Sequence, residues 1–119
     1  MRLAGRVLVI AGSDSGGGAG LQADIKTITA LGGYAATAVT ALTAQDTRAV
    51  HAVHDVPVAF LRRQIAVVLE DIGADAIKIG MLHRADTVAA VVEELKDVAG
   101  KTPIVLDPVM AAKGDETLL

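Results

Sequence analysis

Residues that could bind a small molecule follow four separate apolar runs of the chain. Residues 12–20 form a glycine-rich turn after the first run, and Gln45 follows the second. Met81 follows the third run, and Asp107 follows the fourth. In open parallel sheets, ligands bind in the crevice at the carboxyl ends of the strands. If the four runs are parallel strands, these residues meet at one edge and predict a small-molecule pocket there.

Gln45 and Met81 have the chemistry to recognise a flat nitrogen ring. An amide both donates and accepts hydrogen bonds, which suits a heterocycle with an amino group beside a ring nitrogen. A thioether at a strand end can pack against the face of such a ring. A solvated glutamine and a core methionine are the ordinary alternatives at these two positions.

Asp24 is a carboxylate whose position indicates a binding role. Three apolar residues repeat at helical spacing, namely Leu21, Ile25 and Ile28. Asp24 falls on the same stripe, so its carboxylate should point inward. A buried charge without a partner costs several kcal/mol, although a place near the helix N-terminus reduces that cost. The carboxylate therefore needs a donor, either a ligand hydroxyl or amine or an internal partner such as Lys78.

The glycine-rich turn differs from the common phosphate-binding loops. Gly18 stands where a P-loop has its lysine, and Leu21 stands where a dinucleotide-binding turn has its third glycine. The glycines would let the backbone approach a ligand closely and leave helix N–H groups free for it. The alternative is a tight strand-to-helix turn that binds nothing.

The remaining polar candidates are one aspartate and two histidines. Asp107 precedes a proline and should lie at the mouth of the crevice, where it could serve Mg²⁺ or phosphate-bound water, or cap a turn. His51 and His54 have no third metal-ligand candidate nearby, so we expect them to be structural or surface residues.

The apolar runs predict a regular alternation of strands and helices. Strands are expected at 7–11, 35–43, 76–79 and 104–106, with a short extended excursion at 48–56. The order predicts an α/β fold with a parallel sheet. Asp86 should cap the third of three helices, and Gly100 should end it. The residues expected to face inward are Leu21, Ile25 and Ile28 in the first helix, Leu61, Ile65, Leu69 and Ile72 in the second, and Val88, Val91, Leu95 and Val98 in the third.

Composition excludes several classes of function. Of the 119 residues, 52% are hydrophobic, 2% are aromatic and none is cysteine, and the net charge is −3. A chain without a basic stripe or aromatic platform is a poor nucleic-acid binder. No apolar run reaches the roughly 18 residues of a membrane span, and no signal-peptide pattern begins the chain. We therefore expect a cytoplasmic globular protein that binds neither nucleic acid nor membrane.

The last residues indicate an unfinished sheet. Residues 111–119 follow the fourth strand without a closing helix, which would leave a sheet edge open. We expect residues 1–119 to be the N-terminal portion of a single longer domain; the alternative is a small four-stranded domain closed by self-association.

Four segments together resemble one enzyme family. They read IAGSDSGGGAGLQAD at 10–24, TALTAQDT at 40–47, KIGML at 78–82 and VLDPVM at 105–110. In order and spacing, they resemble hydroxymethylpyrimidine/phosphomethylpyrimidine kinase of thiamine biosynthesis, a member of the ribokinase-like superfamily. The resemblance runs through nearly the whole chain.

The resemblance implies a three-layer αβα fold with a mainly parallel sheet, which this chain would leave incomplete at its C-terminus. It implies that ATP and Mg²⁺ serve to phosphorylate 4-amino-5-hydroxymethyl-2-methylpyrimidine and then its monophosphate, in a homodimer. Metal and phosphate contacts fall on Asp107, and a further phosphate contact falls on Lys113. The implied pyrimidine contacts are Gly12, Asp24, Gln45, Met81 and Val109.

The chain departs from the family pattern in two places. The family's Gly-Thr-Gly-Cys turn, which holds the transferring phosphoryl group and the catalytic base, is absent from these residues and is expected downstream of Leu119. Asp115 stands where the family has a small residue after Lys113. Without the turn, the 119 residues alone should transfer little phosphate. Two alternatives remain: a kinase for a pyridoxine-type vitamin B6 alcohol, and a non-catalytic pyrimidine-binding module.

Overall fold

Four parallel strands form the sheet that the apolar runs predict, and a fifth strand joins it at one edge. The computed structural model describes residues 4–108. The sheet has the order β3-β2-β1-β4-β5, in which β2, β1, β4 and β5 are parallel. The strands are β1 (Arg6–Ser13), β2 (Tyr34–Gln45), β3 (Val50–Asp55), β4 (Ala76–Ile79) and β5 (Ile104–Leu106), and the helices are α1 (Gly20–Ala30), α2 (Val58–Asp71) and α3 (Ala85–Leu95).

The central strand β1 is buried because helices cover both faces of the sheet. Leu8 packs with buried residues of α2 and α3, among them Leu61 and Val91. Val9, on the opposite face, packs with Leu21 of α1. Successive side chains of a strand point to opposite faces, so an uninterrupted apolar run is what this three-layer αβα arrangement requires. The predicted fold class is confirmed.

The predicted extended excursion at 48–56 contains a strand, which adds a fifth strand to the four that were predicted. β3 pairs antiparallel with β2, whose last residue, Gln45, lies opposite Val50. β2 therefore continues to Gln45 rather than ending at residue 43. Asp46 shapes the turn between the strands, because its carboxylate accepts hydrogen bonds from the backbone N–H groups two and three residues later, at 2.7 and 3.0 Å.

The predicted helices are present, but two expected core residues are exposed. Ile25 in α1 and Val88 in α3 expose 38% and 41% of their surface. In α1 the inward position is occupied by Asp24 instead of Ile25. In α3 the buried stripe includes Thr87 and Val91. Val88, one position further round the helix, therefore faces away from the core.

The limits of α3 also differ from the prediction. Arg84 occupies the capping position, and Asp86 lies in the first turn. Asp86 does not cap the helix because its carboxylate pairs with the guanidinium of Arg84 at 2.9 Å. The helix ends at Leu95 rather than at Gly100. Directly after it, the Lys96 N–H donates to the Glu93 carbonyl, only three residues back, at 3.4 Å.

Candidate functional site

A cavity of about 260 Å³ opens at the carboxyl ends of β1, β2 and β4. Two of the predicted site residues, Val109 and Lys113, lie outside the described residues. The other five line the cavity: Gly12, Asp24, Gln45, Met81 and Asp107. The structure thus brings these strand-end residues together, whereas their contacts with a ligand stay a prediction.

Gly12 lies in a β-bulge that makes room for Met81. Between the residue pairs on either side of Gly12, β2 has one residue more than β1. A Cβ atom at Gly12 would overlap the Cε atom of Met81, so a glycine is needed for Met81 to lie where it does. The hydroxyl of Thr40, which is only 1% exposed, donates a hydrogen bond to the Met81 carbonyl at 2.7 Å. The bulge and this hydroxyl together hold Met81 at the cavity wall.

Asp24 faces the cavity beside Lys78. The ammonium of Lys78 lies 2.8 Å from Asp24 Oδ2, and the two side chains are 23% and 21% exposed, respectively. The internal partner considered from the sequence is therefore present, and both groups line the cavity. Among the described residues, Lys78 bonds to Oδ2 of this carboxylate, which leaves Oδ1 to accept a hydrogen bond from a ligand.

Gln45 ends β2 with its amide at the cavity. Its Oε1 lies 3.2 Å from the hydroxyl of Thr43, but that hydroxyl donates its single hydrogen to the carbonyl of Ser13 at 2.7 Å. The amide therefore keeps both donor and acceptor capacity for a ligand. Its backbone is joined to the glycine-rich turn, because the hydroxyl of Ser15 accepts from the Gln45 N–H at 2.7 Å and donates to the Gln45 carbonyl at 2.6 Å.

Asp14 organises the glycine-rich turn, a role that the sequence analysis missed. Its carboxylate accepts hydrogen bonds from the N–H groups of Gly16, Gly18 and Ala19 at 2.7, 3.0 and 2.8 Å. Asp14 is 6% exposed, so these bonds compensate a buried charge. These three N–H groups precede α1 and are bound to Asp14, whereas free helix N–H groups for a ligand stay a prediction. The available signal was an aspartate followed by small residues, since aspartates often bond to the backbone just ahead of them.

Asp107 lies at the rim of the cavity, directly after β5. Its N–H donates to the carbonyl of Ile79 at 2.9 Å, and its side chain is exposed. The charged residues lining the cavity are Asp14, Asp24, Asp107 and Lys78. Three carboxylates and one ammonium leave an excess of negative charge, which favours a cation near the exposed carboxylate.

Other sites offer less to a ligand. His51 and His54 are exposed, and His51 Nε2 lies 2.9 Å from the Asp46 carboxylate. Hydrogen bonds from the Arg48 N–H and the His51 ring lower the pKa of Asp46 to about 2. Within residues 4–108, no group of three acidic, histidine or cysteine side chains could hold a metal ion. No helix in the same stretch is long and apolar enough to cross a membrane.

Known proteins resemble the chain in both sequence and structure. A sequence model of the phosphomethylpyrimidine kinase family matches residues 14–119. The hydroxymethylpyrimidine/phosphomethylpyrimidine kinase of Bacillus subtilis is 51% identical over 114 residues. A phosphomethylpyrimidine kinase from Clostridium difficile superposes with a TM-score of 0.86 at 44% identity. A pyridoxal kinase from Staphylococcus aureus, solved in complex with pyridoxal, superposes with a TM-score of 0.82 at 38% identity.

The chain spans half or less of the length of these relatives. The three matches cover 96%, 99% and 96% of this chain but 42%, 50% and 42% of the relatives, in the order given above. The shared part contains the cavity and the strands that form it.

Proposed function

The chain belongs to the phosphomethylpyrimidine kinase family, and on that premise we propose that it forms the pyrimidine-binding part of an ATP-dependent kinase. The substrate is 4-amino-5-hydroxymethyl-2-methylpyrimidine, followed by its monophosphate, in thiamine biosynthesis. Residues 1–119 are the N-terminal portion of one ribokinase-like domain. The observation that carries the proposal is the cavity, which presents an amide, a carboxylate and a thioether to one small space.

Gln45 and Met81 select the ring in this proposal. The amide oxygen accepts from the exocyclic amino group, and the amide nitrogen donates to the adjacent ring nitrogen. Met81 lies against the ring face, where a polarisable sulfur makes favourable contacts with aromatic groups. The pair of hydrogen bonds requires both groups of the aminopyrimidine, so it distinguishes this ring from one without the amino group.

Asp24 holds the hydroxymethyl group. Its Oδ1 accepts a hydrogen bond from the ligand hydroxyl while Oδ2 stays bonded to Lys78. The ammonium holds the carboxylate in one direction, and a hydrogen bond to a carboxylate is stronger than one to a neutral acceptor. The substrate hydroxyl is thereby oriented within the cavity, and orientation is a main source of catalysis in phosphoryl transfer.

Asp107 is the described residue that fits Mg²⁺. Mg²⁺ is usually bound by one or two carboxylates together with substrate phosphates and water, and a single exposed carboxylate at the rim of a negatively charged cavity matches that mode. When bound with ATP, Mg²⁺ neutralises charge on the phosphates. Val109 and Lys113 are proposed as further ring and phosphate contacts from the resemblance. The homodimer and the cytoplasmic location stay predictions.

A vitamin B6 kinase is the second candidate. The similarity to the pyridoxal kinase of Staphylococcus aureus favours it, because the same cavity position can hold another six-membered nitrogen ring with a hydroxymethyl group. A pyridine ring without the amino group would use only part of the Gln45 amide, so the first candidate fits the cavity better.

Calorimetric titration of the complete gene product tests the assignment. In Gln45→Ala, affinity for the hydroxymethylpyrimidine should fall by one to two powers of ten, because an unpaired buried polar group costs roughly 1–3 kcal/mol. Affinity for ATP should not change. Gln64→Ala is the matched control, since the Gln64 amide bonds to the backbone of Val39 at 3.0 and 3.1 Å, away from the cavity.

Unchanged pyrimidine affinity in Gln45→Ala would reject the role of this residue. Tighter binding of pyridoxine than of the pyrimidine by the wild type would transfer the substrate to the vitamin B6 class.

A further inference from the structure

The backbone of Gln45 is held from outside the sheet by a single hydroxyl group. β1 ends at Ser13, which pairs with Leu42, whereas β2 continues to Gln45. The last residues of β2 therefore run past the end of the neighbouring strand. The hydroxyl of Ser15 replaces the missing strand there, because it bonds to both the N–H and the carbonyl of Gln45, at 2.7 and 2.6 Å.

Ser15 occupies this position because the turn around it is fixed. The buried carboxylate of Asp14 accepts three backbone N–H groups of the turn, and its own N–H donates to Gln22 at 2.9 Å. Gly16 lies so close to β2 that a Cβ atom there would come within 3.2 Å of the Gln45 carbonyl oxygen. The turn therefore presents the Ser15 hydroxyl to Gln45 on a backbone with little freedom to shift.

Ser15 does not line the cavity and is itself exposed. Its hydroxyl bonds to the backbone of Gln45, which does line the cavity, so Gln45 is the route from Ser15 to a ligand that the hydrogen bonds indicate. A pair of hydrogen bonds to one amide needs both distances and both angles to be met, and such bonds weaken steeply as alignment is lost. A ligand that uses both bonds is thus more sensitive to the position of the Gln45 backbone than a ligand that uses one.

We propose that Ser15 is a positioning residue for ring selectivity: its reciprocal hydrogen bonds with the Gln45 backbone aim the amide at a ring that carries an amino group beside a ring nitrogen. The inference rests on the proposed function, which makes Gln45 the ring contact. It adds that the glycine-rich turn sets the selectivity of the site from outside the cavity.

The test is a double-mutant cycle in the complete gene product, with calorimetric affinities for the hydroxymethylpyrimidine and for pyridoxine. Ser15→Ala should lower pyrimidine affinity about threefold to tenfold, lower pyridoxine affinity less, and so reduce the ratio of the two affinities. In the Gln45→Ala background, Ser15→Ala should have little further effect on the pyrimidine, since the two residues act as a unit.

Two further variants separate positioning from folding. Ser15→Thr keeps the hydroxyl and should restore both the affinity and the ratio. Thr27→Val removes a hydroxyl that donates to a backbone carbonyl of α1 at 2.8 Å, remote from Gln45, and should change neither affinity.

Other results would overturn the proposal. Ser15 would only support the fold if the losses of pyrimidine binding free energy in Ser15→Ala and Gln45→Ala simply add in the double variant. The same conclusion would follow if Ser15→Ala lowered the affinity for both rings equally. A wild type that binds pyridoxine more tightly would overturn the proposed substrate, and the coupling between Ser15 and Gln45 would then be scored on that ligand. A wild type that binds neither compound would overturn both proposals.

Discussion

The carboxylate of Asp24 shows how far a single residue can be interpreted from its neighbours in sequence. Helical spacing places it inward, and the structure confirms this, since its side chain is only 21% exposed. Its partner could not be chosen from the sequence, because Lys78 lies 54 positions away on another strand. The two meet because α1 packs beside β1, and β4 is the next strand of the sheet. Ionic partners of this kind depend on the tertiary fold.

The Asp24–Lys78 pair leads to a prediction about stability. Lys78→Met should leave a partly buried carboxylate without its cation and lower the free energy of unfolding by about 1–3 kcal/mol, between the values typical of exposed and buried pairs. Lys96→Met is the matched control, since Lys96 and Glu93 are 69% and 55% exposed and 3.7 Å apart; it should change little. Urea unfolding measures the free energy of unfolding of both variants, and an equal decrease in the two would contradict the account.

Strands were predicted well where both faces are buried and poorly where one edge is exposed. The middle of β1 is an uninterrupted apolar run because helices pack on both sides, and that run identifies the strand. β4 is apolar apart from Lys78. β3 pairs with β2 along one edge only and keeps mostly exposed or half-buried side chains, which leaves a weak pattern. The β-bulge at Gly12 depends on the register between β1 and β2 and could not be inferred from spacing. The turn around Asp14 is held by local bonds, for which an aspartate followed by small residues was the available signal.

Between elements, the hydroxyl of Thr40 joins β2 to the loop that carries Met81. Thr40→Val keeps the shape of the side chain but leaves the Met81 carbonyl without its donor, so stability should fall by about 1–3 kcal/mol. Thr37→Val makes the same change on β2, at a half-buried residue whose hydroxyl has no such bond to any of residues 4–108, and should be close to neutral. Thermal unfolding compares the two variants, and a neutral Thr40→Val would show that Met81 is held by packing alone.

For the whole molecule, one ion pair connects the amino ends of two strands and predicts a pH dependence. Hydrogen bonds from the Arg6 side chain and backbone lower the pKa of Asp75 from 3.8 to about 2. A carboxyl group with a lowered pKa in the folded state stabilises the fold above its unfolded pKa, and this contribution is lost as pH falls through the folded pKa. As the pH falls from about 5 to about 2, the unfolding temperature of Asp75→Asn should therefore decrease less than that of the wild type. Parallel curves for wild type and variant would contradict this assignment.

The central claim is that the cavity at the carboxyl ends of β1, β2 and β4 binds the pyrimidine through Gln45. A crystal structure of the complete gene product with the hydroxymethylpyrimidine tests it most directly. The account predicts the ring against Met81, with its amino group and ring nitrogen about 3 Å from the Gln45 amide and its hydroxymethyl group at Asp24. A ring bound elsewhere, or one in this cavity with the Gln45 amide turned to solvent, would contradict the account.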